Sequence, residues 1–515
     1  MASAAELLLI LPEIILALLG LVILAVDLFY LRRRADGAAR SGWLGYFTLI
    51  SLVLVSVASY LWGRESILKD SFPRLFAELS LRRTLFGGAF QVDEITLFFR
   101  VIFLLVAALV LLLSLDRKWG EHEGEYYALL VFSVLGMNLM TGAGELITIY
   151  IALELTSISL YLLAAFDFRR RSVEASLKYF LFGAFSSAIL LYGLSLVYGF
   201  TGTTNLQDIA NFVFEYGGLP GLVQTGQGLL LGIAFMVAGF GFKLALVPFH
   251  AWAPDVYEGA PTPIAAFIST GSKAASFVVV LRVFQVGMRL AAGNAEWGTW
   301  SGWSGLLALL AVVTFTGANL MALPQRNIKR LLAYSSIAHA GYMLIGVLLG
   351  TAGGSEALFY YLFAYVLTNV GAFAAVIAVS RVVGGEEIER FAGLSKRSLP
   401  LAGALTVLFF SLAGVPPLAG FFAKFWLFKA TFDGGLVWLA VVGLVNTIIA
   451  FYYYLRVLKA VWFEQPVEDT PVKTSDAVSV ALLATTLLVI LAGILPQWVL
   501  SNLVRGAVSV LFPIG

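Results

Sequence analysis

Apolar runs of about twenty residues recur along almost the whole chain, separated by short charged or Gly/Pro-containing connections. A helix that spans a bilayer needs roughly 20 mostly apolar residues. Windows of that kind fall at 7–28, 43–62, 93–115, 126–143, 145–166, 174–199, 227–248 and 261–284. They continue at 303–323, 328–350, 356–382, 400–422, 434–462 and 477–500. The pattern predicts an all-α polytopic membrane protein with about fourteen transmembrane helices. Single charges interrupt several of these windows: Lys178, Lys243, Lys273 and Lys424, with Glu154 in the fifth. A charge at the bilayer centre costs about 2.5–3.5 kcal/mol on insertion scales, so a series of them predicts a polar path for ions or protons.

Two windows also carry helix breakers. The seventh reads Gly239-Phe240-Gly241-Phe242-Lys243 and reaches Pro248; the twelfth reads Gly414-Val415-Pro416-Pro417 and reaches Lys424. Proline lacks a donor and clashes with the preceding turn, so both helices should be interrupted, near Lys243–Pro248 and Gly414–Pro417. Carbonyls freed at such a break can solvate an ammonium, which bilayer depth permits only where the backbone lines a cavity.

The chain repeats itself as well. Glu174-Ala175 followed by Tyr179-Phe180-Leu181-Phe182 returns as Glu356-Ala357 followed by Tyr361-Leu362-Phe363-Ala364, an offset of 182 residues that sets Lys178 opposite Tyr360. A similar offset relates Ala238-Gly239 before Pro248 to Ala413-Gly414 before Pro416-Pro417. Five helices separate equivalent positions, an odd number, so the units should be inverted repeats with broken helices, a transporter signature. The expected organisation is an N-terminal three-helix segment at 1–120, a first five-helix repeat at 121–300, a second, inverted one at 301–465, and a C-terminal helix at 466–515.

Composition narrows the class. The chain is 60% hydrophobic and 12% charged, against about 25% charged for a soluble globule. The net charge of +2 says nothing about a nucleic-acid partner, there is no basic stripe with aromatic interleaving, and no such partner is expected. The absence of cysteine excludes disulfides and cysteine-ligated zinc or iron–sulfur clusters, and no Walker sequence occurs. The first apolar segment, with Glu6, Pro12 and Glu13, reads as a retained helix rather than a cleaved signal peptide. Positive loop residues concentrate on one side: Arg32, Arg33, Arg34, Arg117, Lys118, Arg169, Arg170, Arg171, Arg326, Lys329, Arg330, Arg381 and Arg390. The other side has fewer, among them Arg64, Lys69, Arg74, Arg82, Arg83, Arg289, Lys429 and Arg505. The imbalance places both termini on the outer side of the membrane. Segment 63–92 departs from the rule and reads as an amphipathic outer hairpin or helix.

Most of these charges have two readings. Lys273 lies deep in its window among Ser269, Gly271, Ser272 and Ala274, where small neighbours leave room for water. Lys243, near Pro248, reads as a relay or as a lysine snorkelling to the interface. Lys424 reads as a relay or as an end-of-helix anchor with Lys429. Glu154 would be neutral alone and charged beside a lysine. Lys178 follows Glu174 by four residues and is either a helical ion pair or a relay. His250 and His339 are helix-packing polar residues or relays.

Longer strings carry a resemblance. Pro248-Phe249-His250-Ala251-Trp252-Ala253-Pro254-Asp255-Val256-Tyr257-Glu258-Gly259-Ala260-Pro261-Thr262-Pro263 resembles the loop between helices seven and eight in subunit N of bacterial respiratory complex I. Ser272-Lys273-Ala274-Ala275-Ser276-Phe277, Leu177-Lys178-Tyr179-Phe180 and Tyr334-Ser335-Ser336-Ile337-Ala338-His339 are similar to the same family. Sister subunits L and M usually carry histidine where Ser269 stands, and subunit M ends its helix-twelve motif with glutamate where Lys424 stands. The resemblance spans about 90–465 and implies a proton-translocating membrane subunit of an NADH:quinone oxidoreductase in a bacterial inner membrane. It implies an ion pair between Glu154 and Lys243, a central relay at Lys273 and a second-half lysine at Lys424, and Lys178 matches a family position; with His339, read from the residues alone, Lys178 is a further relay candidate. It also implies no cofactor on this chain. NADH, FMN, iron–sulfur clusters and quinone would belong to partner subunits, namely K-like and M-like membrane neighbours and a peripheral redox arm. The alternatives are a multisubunit cation/proton antiporter and the ferredoxin-driven photosynthetic relative.

Overall fold

The structure is a computed structural model that describes residues 4–31, 43–62, 83–117, 119–466 and 470–511. The predicted positive charges Arg32, Arg33, Arg34, Arg64, Lys69, Arg74, Arg82 and Lys118 lie outside the described residues, as do both chain ends. Of the predicted outer segment, 63–82 lies outside them too; the remainder forms a small hairpin, β1 (Arg83–Leu85) paired antiparallel with β2 (Phe90–Val92).

The long helices follow the apolar windows closely. They are α1 (Leu11–Val26), α2 (Trp43–Trp62), α3 (Glu94–Ser114), α4 (Glu123–Gly142), α5 (Leu146–Ala164), α6 (Arg170–Thr201) and α7 (Gln227–Leu244). The short α8 (Trp252–Gly259) follows, then α9 (Thr262–Gly287), α10 (Gly302–Ala322), α11 (Ile328–Leu348) and α12 (Ala352–Val383). Next come α13 (Leu399–Ala413), α14 (Ala419–Asp433), α15 (Val437–Phe463) and α16 (Asp476–Ile494). Among the described residues, 12 helices are both long and apolar enough to cross a membrane. The other two predicted windows hold α4, whose first turn carries Glu123 and Glu125, and the pair of 15-residue pieces α13 and α14.

Both predicted interruptions are present, and they are built alike. After α7 the chain turns through Ala245 at φ 57°, with Leu246 N–H donating to Gly241 O at 2.8 Å. After α13 it turns through Gly414 at φ 90°, with Val415 N–H donating to Phe410 O at 2.9 Å. Each is a left-handed helix cap whose bond runs back across six residues, and a proline then prevents resumption of the helix. Cis peptides precede Pro248 and Pro417.

Three expectations change. The second limb of helix seven is the separate helix α8, where the sequence read as a loop, because Pro254 is tolerated in a first turn. The breaks align Ala245 with Gly414, not Ala238-Gly239 with Ala413-Gly414, because the connection before α13 is shorter than the one before α7. And α14 runs to Asp433, well past the predicted end at 422, so Lys424 lies inside a limb rather than at its tip.

The repeat at an offset of 182 is visible in backbone detail. Helices α6 and α12 are each 32 residues long, and end at the left-handed glycines Gly202 and Gly384. Leu146 N–H donates to Thr204 O at 2.9 Å, as Ile328 N–H does to Glu386 O at 2.8 Å. Leu206 N–H donates to Gly144 O at 3.0 Å, as Ile388 N–H does to Arg326 O at 2.8 Å. The units are inverted with respect to α9. The residues just before α5 adjoin the end of α9, where Arg282 Nε donates to Thr141 O at 2.7 Å. The start of α11 adjoins the beginning of α9, where Lys329 Nζ donates to Ala260 O at 2.9 Å.

Helix α9 is buried throughout its most apolar window, and α11 and α12 nearly so. They form the axis of the molecule, with α1, α2, α6, α15 and α16 more exposed around it. Two buried ion pairs fasten the N-terminal helices, one joining α1 to α3 and one joining the start of α3 to α9. Arg100 Nη2 lies 2.8 Å from Glu13 Oε1, and Arg282 Nη2 contacts Asp93 Oδ1 at 2.7 Å and Oδ2 at 2.8 Å.

Candidate functional site: a buried polar axis

Helix α9 positions Lys273 by a change of winding. Ile268–Ser272 form a π-type turn, and regular α-helix resumes at Lys273. Such bulges shift side-chain register and recur at functional positions. Lys273 is 3% exposed; its Nζ donates to Ser336 O at 2.8 Å and to Ser336 Oγ at 2.6 Å. Tyr257 of α8 reaches the same hydroxyl at 3.2 Å.

Lys243 occupies the last turn of α7, where its Nζ donates to Ser157 Oγ at 2.5 Å and to Tyr161 OH at 3.1 Å, both on α5. Tyr161 fits because Gly183 faces it; a Cβ there would lie 2.0 Å from the tyrosine hydroxyl. The expected Glu154–Lys243 ion pair is not formed. Glu154 accepts from Ser187 Oγ at 2.7 Å, while Lys243 is held one helical turn further along α5 by Ser157. The sequence supplied both charges, but the rotation of α5 against α7 decides which side chain the ammonium meets.

Lys424, 4% exposed, donates to Leu412 O and Ala413 O, each at 3.0 Å, at the frayed end of α13. Freed carbonyls therefore do hold an ammonium, at the second break. At the first break Phe242 O is taken by Trp252 Nε1 instead, at 3.0 Å. The anchor reading with Lys429 does not hold: Lys429 pairs with Asp433 on the exposed side of α14, 2.5 Å away.

His339 connects these centres: it follows Ser336 on α11, and its ring is 6.2 Å from that of Tyr342, over which Lys424 Nζ lies at 5.6 Å. Its Nδ1 is 2.8 Å from Tyr361 OH and its Nε2 is 3.3 Å from Tyr454 OH, which also bonds Ser335. A void of about 10 Å³, room for about one water, is lined by His339, Tyr361, Thr368, Ser411 and Gly420. It joins the histidine to the second break.

Lys178 stands apart from this axis. It is 41% exposed and pairs with Glu174 at 3.0 Å and with Asp255 of α8 at 2.9 Å. Arg330 contacts Asp255 and Glu258, each at 2.8 Å, so charges clamp α8 from two sides. Burial opposes the charge on Asp255, but hydrogen bonds from Lys178 and Arg330 outweigh it and hold the carboxyl below the usual carboxylate range. The helical ion pair read from the sequence is present, with a second partner the sequence did not indicate.

Ser157, Tyr161, Ser336, Tyr257, Tyr361 and Tyr454 escaped the sequence reading. Part of the signal was there: Glu154, Ser157 and Tyr161 follow i, i+3, i+7 spacing on one helix face. Tyr257 and Tyr454 come from distant helices, and no local pattern marks them.

Fold and site together define an antiporter-like polytopic membrane subunit, with broken helices flanking a buried lysine axis. The chain belongs to the NADH:quinone oxidoreductase/Mrp antiporter family, whose transmembrane model matches residues 143–450. It is 42% identical over 97% of its length to NADH-quinone oxidoreductase subunit N 1 of Roseiflexus castenholzii, and covers 97% of that protein. A chain of respiratory complex I from Thermus thermophilus superposes with a TM-score of 0.76 at 32% identity, covering 96% of this chain and 100% of that one. A chain of the Mrp complex from Dietzia has a TM-score of 0.81 at 19% identity, covering 99% of this chain and 98% of that one, and so shares the fold.

Proposed function

We propose that Lys243, Lys273, His339 and Lys424 form the proton path of this chain, a proton-translocating membrane subunit of NADH:quinone oxidoreductase. In this reading the NADH, FMN, iron–sulfur and quinone chemistry belongs to partner subunits. Fourteen crossings, with both termini outside, give the path its direction.

One observation carries the reading. Lys243, Lys273 and Lys424 are buried and held by hydroxyls and carbonyls, and none forms an ion pair among the described residues. An ammonium held by neutral acceptors can release its proton without stranding a buried carboxylate. Arg282, locked to Asp93, cannot, since breaking a buried pair costs about 3–5 kcal/mol. The tyrosine and serine hydroxyls alongside both donate and accept, as proton hand-over between lysines requires. Moving one proton against ~180 mV takes about 4 kcal/mol. A switch of that size needs only two charges ~4 Å apart changing partners at an effective dielectric near 20. Glu154, one turn from Ser157, is the nearby carboxylate whose movement would bias Lys243.

The test is Lys243→Arg and Lys273→Arg in the whole complex, measuring proton pumping and quinone reduction together in sealed membrane vesicles. Guanidinium stays protonated and cannot hand a proton on, so both variants should assemble and fail to pump. Normal pumping by either would reduce that lysine to an electrostatic fixture.

A further inference from the structure

A second buried lysine system lies at the other end of α11. Lys329 is 2% exposed; its Nζ donates to Ala260 O at 2.9 Å and lies 3.0 Å from Glu386 Oε1. Both residues line a charged cavity of about 480 Å³, together with Arg117, Arg171, Glu258 and Arg381, on the face that carries most of the loop cations. Glu386 keeps 22% of its side chain open to this vestibule, whereas Lys329 is sealed beneath it. Counting along α11, Ser336, the acceptor of Lys273, stands seven residues further in. Two turns of helix are about 10 Å, and the interval is bridged by Tyr257 of α8 against Ser336 and by Ala260, just after α8, against Lys329.

The internal repeat supplies the control. In the first repeat the positions equivalent to Lys329 and Glu386 are Ile147 and Thr204. The backbone there closes through the same pairings, Leu146 N–H to Thr204 O and Leu206 N–H to Gly144 O. That socket folds without an ion pair: Thr204 Oγ1 donates to Glu145 Oε2 at 2.8 Å, and the adjoining groove is lined by Ile147, Leu191, Leu194 and Thr204. The scaffold therefore does not require a lysine and a glutamate at this point.

We propose that Lys329 and Glu386 form the proton-uptake gate of this subunit, loading Lys273 from the charged vestibule. A proton from vestibule water adds to the Glu386 carboxylate and cancels its charge. Lys329, released, passes its ammonium proton inward, by way of water along α8 and Ser336, to the neutral amine of Lys273. Glu386 then gives its proton to Lys329, which restores the pair with one proton moved. The opposite repeat, with Ile147 and Thr204 in the same socket, has no such gate, so uptake is one-sided.

This rests on the relay reading above, and the experiment separates the two. Three variants of the intact complex are compared in vesicles for assembled amount, quinone reduction and pumping: Lys273→Gln, Lys329→Arg, and the double variant Lys329→Ile with Glu386→Thr. The double variant places the first repeat's isoleucine and threonine in a backbone socket of the same pairings, with Asn327 standing where Glu145 accepts from Thr204. Lys329→Arg preserves the ion pair but removes release. We expect all three to assemble and to pump at least about tenfold more slowly than wild type, which corresponds to about 1.4 kcal/mol. Normal pumping by Lys273→Gln overturns the relay itself. Loss in Lys273→Gln with normal pumping in either Lys329 variant overturns the gate alone. Should Lys329→Arg fail to assemble, the double variant decides.

Discussion

Ser335 and Ser336 are neighbours in sequence and differ completely in what they touch, which makes them a test of the central relay. Ser336→Ala removes the 2.6 Å acceptor of Lys273 and leaves only the carbonyl at 2.8 Å. A hydrogen bond to a charged group contributes about 1.5–3 kcal/mol. At 1.36 kcal/mol per decade, protonated Lys273 becomes about ten- to a hundredfold rarer at a given proton activity. Ser336 is fully buried, so no bulk water replaces the lost oxygen. Ser335→Ala deletes a bond to Tyr454 and leaves Lys273 untouched. A neutral bond of that kind contributes about 0.5–1.5 kcal/mol, so the deletion should slow pumping by no more than about tenfold. The assay is the initial rate of acidification in vesicles at matched complex amounts, with quinone reduction followed in parallel. Ser336→Ala should fall clearly below Ser335→Ala. Equal rates, or the reverse order, would refute the role of Ser336 as the acceptor that holds the Lys273 ammonium.

Other consequences follow from the same contacts. Lys424→Met orphans the carbonyls of Leu412 and Ala413, at about 1–3 kcal/mol each; pumping should vanish, and native gels should show less assembled complex. Lys178→Ala breaks only half-exposed, solvent-screened pairs, so pumping should stay near wild type; its abolition would make Lys178 a relay residue. Arg282→Gln strands Asp93 in the interior, at about 3–5 kcal/mol, and should show as loss of the subunit from purified membranes. The Asp255 carboxyl is held below its ordinary value. Its clamp on α8 is therefore complete above the unfolded value of about 3.9 and is lost as pH falls through the lower folded value. Amide-exchange protection in Trp252–Gly259 should hold down to about pH 4 and fail below it; loss beginning near neutrality would contradict this.

The sequence by itself determined the membrane class, the placement of the long helices, both interruptions and the repeat. These are local or periodic properties: apolar length against bilayer thickness, proline after a helix cap, strings returning at a fixed offset. It also named the charges at Glu154, Lys243, Lys273 and Lys424, because a charge in an apolar run stands out without any fold. Only the tertiary structure decided what those charges touch. A helix turns 100° per residue, so a small rotation gives Lys243 Ser157 rather than Glu154, and gives Lys273 Ser336 rather than Ser335. Tyr257, Tyr361 and Tyr454 join the axis from three different helices, each looking in sequence like one more membrane aromatic. Lys329 read as a loop cation because it sits at the mouth of its helix. Its burial under Glu386 exists only once residues 327 and 387, sixty positions apart, are paired across the vestibule.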